Sequence, residues 1–247
     1  MGSESPDMPS SNQSISDENE RTPRILITAG PTHEPLDGVR YLANRSSGRL
    51  GLQLAGAATM HGAKTTLLLG PTPLEPIEHS LLEVERFQTT SDLEALLSRA
   101  WPDHDLLLMT AAVADYRPRH PLPEGKHQRT RDGLTLDLEA TPDLLKGLAE
   151  VSRPDQIRVG WALEPKERLL ERTRSKLESK HLQAIVGNPI DTLDAETIAP
   201  VVLVKEDEGD RRLALPSSAP MTKTAFAAWL IEQCLELCRA VESGPAK

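Results

Sequence analysis

The sequence predicts an α/β fold in which a mostly parallel sheet is covered by helices on both faces. Two observations carry this prediction. From Arg24 onward, short apolar runs alternate with longer segments whose apolar residues recur at the helical period, which is the order that strands and crossover helices produce in a parallel sheet. The runs ILITA, DLLLMTAA and AIVG are apolar at successive positions, as strands buried on both faces must be.

Residues 1–22 are rich in Ser, Pro, Asn, Asp and Glu, with acids at Glu4, Asp7, Asp17, Glu18 and Glu20 and no Lys or Arg before Arg21. Such a stretch buries too little apolar surface to offset its chain entropy, so it is expected to be a disordered tail ahead of a domain spanning 23–243. The chain holds 28 basic and 37 acidic residues, a net charge of −9, and over half of that charge lies in the tail. An acidic chain lacks the basic face that general nucleic-acid binding needs. No apolar run approaches the roughly 18 residues of a membrane helix, and the N-terminus lacks the order of a secretory leader. A cytoplasmic location with no membrane segment is expected.

Strands are expected at Ile25–Ala29, Thr65–Leu69, Leu82–Phe87, Leu106–Ala111, Ile157–Ala162 and Gln183–Val186, with helices at Gly48–His61, Ser91–Trp101, Pro142–Val151 and Glu164–Lys180. A long polar insert from Asp115 to Glu139 contains Pro118, Pro121, Pro123, Gly125 and Gly133, and its alternating LTLDLE reads as one arm of a small hairpin. It leaves the carboxyl end of a central strand, where open α/β sheets place ligands and lids. Further on, Ile198–Val204, an acidic turn at Asp207–Asp210 and Arg211–Leu215 read as strand, turn and strand. A helix over Met221–Val241 closes the chain, with Phe226, Leu230, Cys234, Leu237 and Val241 on one stripe. The two cysteines, Cys234 and Cys238, are four apart, a poor disulfide scaffold that fits core packing better.

Several positions offer chemistry. Gly30 ends a strand, and Ser46, Ser47 and Gly48 begin a helix. Backbone N–H groups and hydroxyls there suit an anion; the alternative is Ser46 as a plain N-cap, with Gly48 and Gly51 as packing points. Neither G-x-G-x-x-G nor G-K-[ST] occurs. Arg40 and Asn44 offer a fork for a carboxylate or phosphate and an amide that both donates and accepts, or else form a structural pair. In MTAAVADYRP, small side chains let a ligand approach the backbone, and Asp115 either accepts from an exocyclic amine or ribose hydroxyl or caps the turn. Lys126, the only lysine of the insert, either reaches a phosphoryl group after closure or is merely solvated. Arg172, Lys176 and Lys180 recur every four residues as an unrelieved basic stripe, disfavoured by roughly 0.2–0.5 kcal/mol per like-charged pair. That face either receives an anion such as a triphosphate or is solvated. The histidines show no ligand spacing, so no transition-metal site is expected.

Taken together and in order, TAGPTHEPLDGVRYLANRSSGRLG, AAVADYRP, ATPD, VGWALE, KLESK and AIVGN resemble the phosphopantothenate–cysteine ligase family of bacterial coenzyme A synthesis, from about Arg24 to Val241. The resemblance implies a three-layer, Rossmann-like α/β fold with a flap insert and a C-terminal strand pair plus helix, usually as a homodimer. It implies a two-step reaction: 4′-phosphopantothenate attacks the α-phosphate of CTP, with Mg²⁺, and the acyl-cytidylate is then taken by the amine of L-cysteine. Residue by residue, it implies that Lys126 helps form the acyl-cytidylate, and that Asn44 with Arg40, and Ala112 beside them, hold phosphopantothenate or its activated form. Met109, Thr110, Ala111 and Asp115, then Ala140, Thr141, Pro142 and Trp161, would line the nucleotide site, with Lys176 and Lys180 on the triphosphate. The flap reads Lys126, His127, Gln128 where the family commonly has K-I-K, and Gly160, Trp161, Ala162, Leu163, Glu164, Pro165 stand for the usual G-F-A-A-E-T. Many relatives carry a flavin-dependent decarboxylase domain where this chain has its polar tail, so a separate decarboxylase is expected. The residues alone leave two other readings open, a nucleotide-dependent oxidoreductase and a non-catalytic nucleotide-binding subunit.

Overall fold

The computed structural model describes residues 21–242 apart from 123, 130, 132, 194, 207–208 and 218. The tail expected over 1–22 therefore lies almost wholly outside the described residues, as does part of the turn expected at Asp207–Asp210. Arg21 is described, with its guanidinium 3.3 Å from Asp105 Oδ2.

Eight strands form one sheet: β1 (Ile25–Ala29), β2 (Thr65–Leu69), β3 (Leu82–Arg86), β4 (Leu106–Met109), β5 (Ile157–Glu164), β6 (Ala184–Pro189), β7 (Val201–Lys205) and β8 (Asp210–Arg212), in the order β8-β7-β6-β5-β4-β1-β2-β3. The strands from β6 across to β3 are parallel, and β7 and β8 continue the sheet antiparallel. Alternate residues of β1 serve opposite faces. Ile25 and Ile27 join Leu54 and Ala58 of α1 (Arg49–Met60) and Phe226 and Leu230 of α5 (Lys223–Glu242). On the other side, Leu26 packs in one cluster with Leu93 of α2 (Thr90–Ala100), Leu145 of α3 (Leu144–Val151) and Leu177 of α4 (Leu169–Ser179). Helices thus cover both faces, as the unbroken apolar runs require. Both edge strands are rich in charge, reading LEVER in β3 and DRR in β8.

Departures from the sequence expectations have local causes. β5 and β6 run past Ala162 and Val186 because Asn188 pairs with Leu163 and Pro189 with Glu164. The helix expected from Glu164 waits until Leu169, since Pro165 keeps its predecessor extended and only a short 3-10 turn, Lys166–Arg168, follows it. β4 stops at Met109 rather than Ala111, and Ala112 instead bridges to Pro31. The run Ile198–Val204 is split at Pro200, which has no N–H for the ladder; Thr197–Ile198 pairs with Met221–Thr222, so α5 begins only at Lys223. On α5 the buried stripe passes through Phe226, Leu230, Cys234 and Cys238, whereas Val241 is exposed. Burial also pushes the Cys234 thiol up. Like Thr197–Ile198 with Met221–Thr222, two further short antiparallel pairs stand outside the main sheet: His33–Pro35 with Tyr41–Ala43, and Tyr116–Pro118 with Leu138–Ala140. Among the described residues no helix is long and apolar enough to cross a membrane.

Candidate active site

The strand order runs outward from β1 through β2 to β3 and, in the other direction, from β4 through β5 to β6. Connections therefore diverge between β1 and β4, and an open α/β sheet leaves a crevice at the carboxyl ends of such neighbours. A cavity of about 750 Å³ opens there, lined by the loop into α1, the chain leaving β4, the start of α3, the end of β5 and one side of α4.

Asn44 to Gly51 form the first wall. Gly48, at φ 72°, occupies the left-handed region as N-cap of α1, a conformation that glycine adopts without steric cost. Ser46 is therefore not the cap: its Oγ accepts from Gly48 N at 3.3 Å, and Ser47 Oγ accepts from Arg49 N at 3.4 Å. α1 has no side-chain N-cap bond, so positive potential from its first turn faces the cavity wall. Gly51 permits the close crossing of α1 over β1, for a Cβ there would lie 2.4 Å from Ala29 Cβ.

The floor is the segment Met109 to Asp115, held by a dense set of bonds. Thr28 Oγ1 donates to Met109 Sδ at 3.4 Å and accepts from Ala111 N at 3.0 Å, and Thr110 Oγ1 donates to Thr28 O. Ala112 N donates to Gly30 O at 2.9 Å. Ala114 N donates to Thr32 Oγ1 at 3.0 Å, and Thr141 Oγ1 donates to Ala114 O. Asn44 Nδ2 donates to Val113 O at 2.8 Å, tying the first wall to the floor. Asp115 keeps an exposed carboxylate at the cavity mouth.

The far wall holds Thr141, Pro142, Trp161, Lys176 and Lys180. The basic stripe is not unrelieved: Lys176 Nζ lies 2.8 Å from Glu164 Oε1, and Lys180 Nζ 3.2 Å from Asp143 Oδ2. Two buried polar atoms here find no partner among the described residues, the indole nitrogen of Trp161 and Oδ1 of Asn188. An orphaned donor and an orphaned acceptor on a cavity wall are groups that solvent or a ligand must satisfy.

Three expected site residues stand apart from this lining. Ala140 pairs with Tyr116, one residue before Thr141. Lys126 is exposed on the insert. Arg40, offered by the sequence as an anion fork, is already engaged by Asp37 and donates to His127 O at 3.0 Å. Its guanidinium holds the Asp37 carboxyl well below the usual carboxylate range. Sequence reasoning missed Asp37, Glu34 and Asn188. The Asp-Gly pair of PLDGVR was a legible turn signal for Asp37. Glu34, which accepts from Thr90 N at 2.8 Å and from Thr90 Oγ1 at 2.6 Å, carried no local signal.

The family described as DNA/pantothenate metabolism flavoprotein C-terminal domain, or DFP, matches residues 21–237. The chain belongs to this family. A DFP relative, the coenzyme A biosynthesis bifunctional protein CoaBC of Bacillus subtilis (strain 168), is 37% identical over 166 residues, covering 67% of this chain. The aligned part makes up 40% of that protein, so the chain spans well under half the length of this curated relative. Among solved structures, the C-terminal domain of a CoaBC protein is similar with a TM-score of 0.69 and 31% identity, covering 88% of this chain and 96% of that one. A Cab2 variant in complex with phosphopantothenate-cysteine shares the fold, with a TM-score of 0.71 at 20% identity over 90% of this chain and 89% of that one.

Among the described residues, no cluster of three or more His, Cys, Asp or Glu side chains is arranged to hold a metal ion. Asp115 and Asp143 bring two carboxylates to the cavity, and hard oxygen donors of this kind are the ligands that Mg²⁺ takes.

Proposed function

We propose that this chain is a phosphopantothenate–cysteine ligase domain using CTP. The observation that carries the reading is the meeting, in one cavity of about 750 Å³, of an α1 N-terminus, a strand end of small residues and two lysines. Each suits a different part of a nucleotide and an acidic co-substrate. Membership of the DFP family and the CoaBC and Cab2 relatives support it.

In this reading a carboxylate oxygen of 4′-phosphopantothenate attacks the α-phosphorus of CTP and the bond to pyrophosphate breaks. The amine of L-cysteine then attacks the activated carbonyl, the bond to CMP breaks, and the surplus amine proton leaves to solvent. Lys176 and Lys180 release their carboxylate partners to meet the triphosphate, and Asp115 meets the base or ribose; Asp143, freed from Lys180, would hold Mg²⁺, which would supply charge neutralisation for the phosphates. Thr141, Pro142 and Trp161 enclose the nucleotide beside Met109, Thr110 and Ala111. Asn44, beside Ala112, holds the acyl group for the amine step, and Lys126 neutralises phosphate charge as the acyl-cytidylate forms. The reading includes a cytoplasmic homodimer.

Incubating the protein with 4′-phosphopantothenate, cysteine and Mg²⁺, with CTP or ATP supplied separately, tests this by mass spectrometry. CMP and phosphopantothenoylcysteine in equal amounts are expected with CTP. No product with either triphosphate would overturn the reading.

A further inference from the structure

The hairpin of His33–Pro35 and Tyr41–Ala43 ends differently at its two extremities. At its base, Asn44 enters the cavity wall. At its tip, the turn closes around Asp37, whose side chain is fully buried, at 0% exposure. The Asp37 carboxylate accepts from the backbone N–H groups of Val39 and Arg40, each at 2.9 Å, and from the Arg40 guanidinium. It also accepts from His127 N at 3.1 Å, in a segment 90 residues away. Arg40 returns a bond to His127 O at 3.0 Å, Gly38 N donates to Gly125 O at 2.8 Å, and Leu122 N donates to Leu36 O at 3.0 Å. Lys126 is the residue between two anchored neighbours. The rings of His33 and Tyr41 stack across the hairpin at 3.7 Å and 10°, stiffening the link between tip and base.

Closing a turn needs only the bonds from Val39 and Arg40. The contacts to Gly125 and His127 go further, and they join the turn to the segment that carries Lys126. A buried carboxylate is costly unless its acceptor sites are filled, and here part of the filling comes from the insert, so the carboxylate and the insert stabilise each other's position. We infer that Asp37 is a positioning residue that clamps the insert to the hairpin and thereby sets where Lys126 stands relative to Asn44. The clamp stands on geometry alone; its consequence for turnover rests on the ligase reading above.

The wild-type chain, Asp37→Asn and Arg40→Gln would be compared by limited trypsin digestion and by pyrophosphate release. Trypsin cuts after Lys126, Arg129 and Arg131, so opening of the insert is read directly. In Asp37→Asn, cleavage at these sites is expected to rise about ten-fold or more, because proteolysis follows the population of the locally opened form. The thermal midpoint should shift little, and Arg40→Gln should give a smaller rise at the same sites. Pyrophosphate release at saturating substrate should fall about ten-fold in Asp37→Asn while CTP affinity stays within about three-fold, since the cavity walls are untouched. Unchanged cleavage at the insert would overturn the clamp, as would cleavage spread evenly over the domain. If Asp37→Asn does not fold, insert-selective cleavage of Arg40→Gln supports the clamp and its absence overturns it. Absence of product from wild type would defeat the ligase reading alone, leaving the digestion to decide the clamp.

Discussion

Lys176 Nζ lies 2.8 Å from Glu164 Oε1, so α4 is tied to the end of β5 by a cation that the proposed reaction needs for phosphate. With Lys176 39% exposed, the pair is partly solvent-screened and readily exchanged. Glu164→Gln should therefore tighten triphosphate binding by about two- to five-fold, and Lys176→Gln should weaken it. Titration calorimetry at two salt concentrations reads both. Unchanged affinity in both variants would mean that Lys176 never leaves Glu164.

Asn44 and Lys126 should separate the two chemical steps. Lys126→Gln removes the cation of the insert and should cut acyl-nucleotide formation by roughly a hundred-fold. Asn44→Asp loses the donor to Val113 O and sets a carboxylate against a carbonyl, so pyrophosphate release should persist in part while transfer to cysteine drops. Quenched-flow measurement of each product distinguishes them. Wild-type turnover in both variants would remove these two residues from the site.

Two glycines in helices should respond oppositely to alanine. At Gly51 a Cβ would fall 2.4 Å from Ala29 Cβ and 2.7 Å from Thr110 Oγ1, so Gly51→Ala should cost about 1–3 kcal/mol of stability and displace the cavity floor. At Gly147, in α3, a Cβ meets nothing within 4 Å, and Gly147→Ala should stabilise by about 0.5–1 kcal/mol. Chemical denaturation of the two variants tests the packing of α1 on β1.

Burial holds the pKa of His104 below its ordinary 6.5. Its Nδ1 faces Ala100 O at 2.7 Å and Nε2 faces Thr66 Oγ1 at 2.9 Å, which suits a neutral ring donating from Nδ1 and accepting at Nε2. A group with a lowered folded pKa stabilises the fold fully above its unfolded value and loses that contribution as pH falls towards the folded one. The thermal midpoint should therefore decline as pH drops below 6.5. His104→Gln should flatten that decline; an equally steep slope in the variant would assign it to other groups.

Much of the architecture could be read from unbroken apolar runs, because strands covered on both faces leave no other pattern. Positions where the chain changes partner were not legible. The extension of β5 to Glu164 depends on pairing with Pro189, and the late start of α5 depends on Met221 meeting Ile198, both contacts between distant segments. For the candidate site, residues such as Thr110, Trp161 and Lys180 sit in continuous motifs and converge on one cavity. Arg40 shows what spacing cannot convey. Its type and its distance from Asn44 suggested a fork for a ligand, but three residues earlier Asp37 had already taken it. Lys176 and Lys180 likewise looked unopposed only because Glu164 and Asp143 reach them from neighbouring elements.

The edge strands β3 and β8 bear on how copies of this domain can meet. Glu85 pairs with Arg99 and Arg86 with Glu75 at one border, and Arg174 pairs with Asp210 and Arg211 with Glu206 at the other. A strand from a second copy docking against either border would have to displace or bury these ions, which outlying strands use to resist such pairing. In polymer terms each end of the sheet carries a charged terminator that disfavours propagation into a second copy.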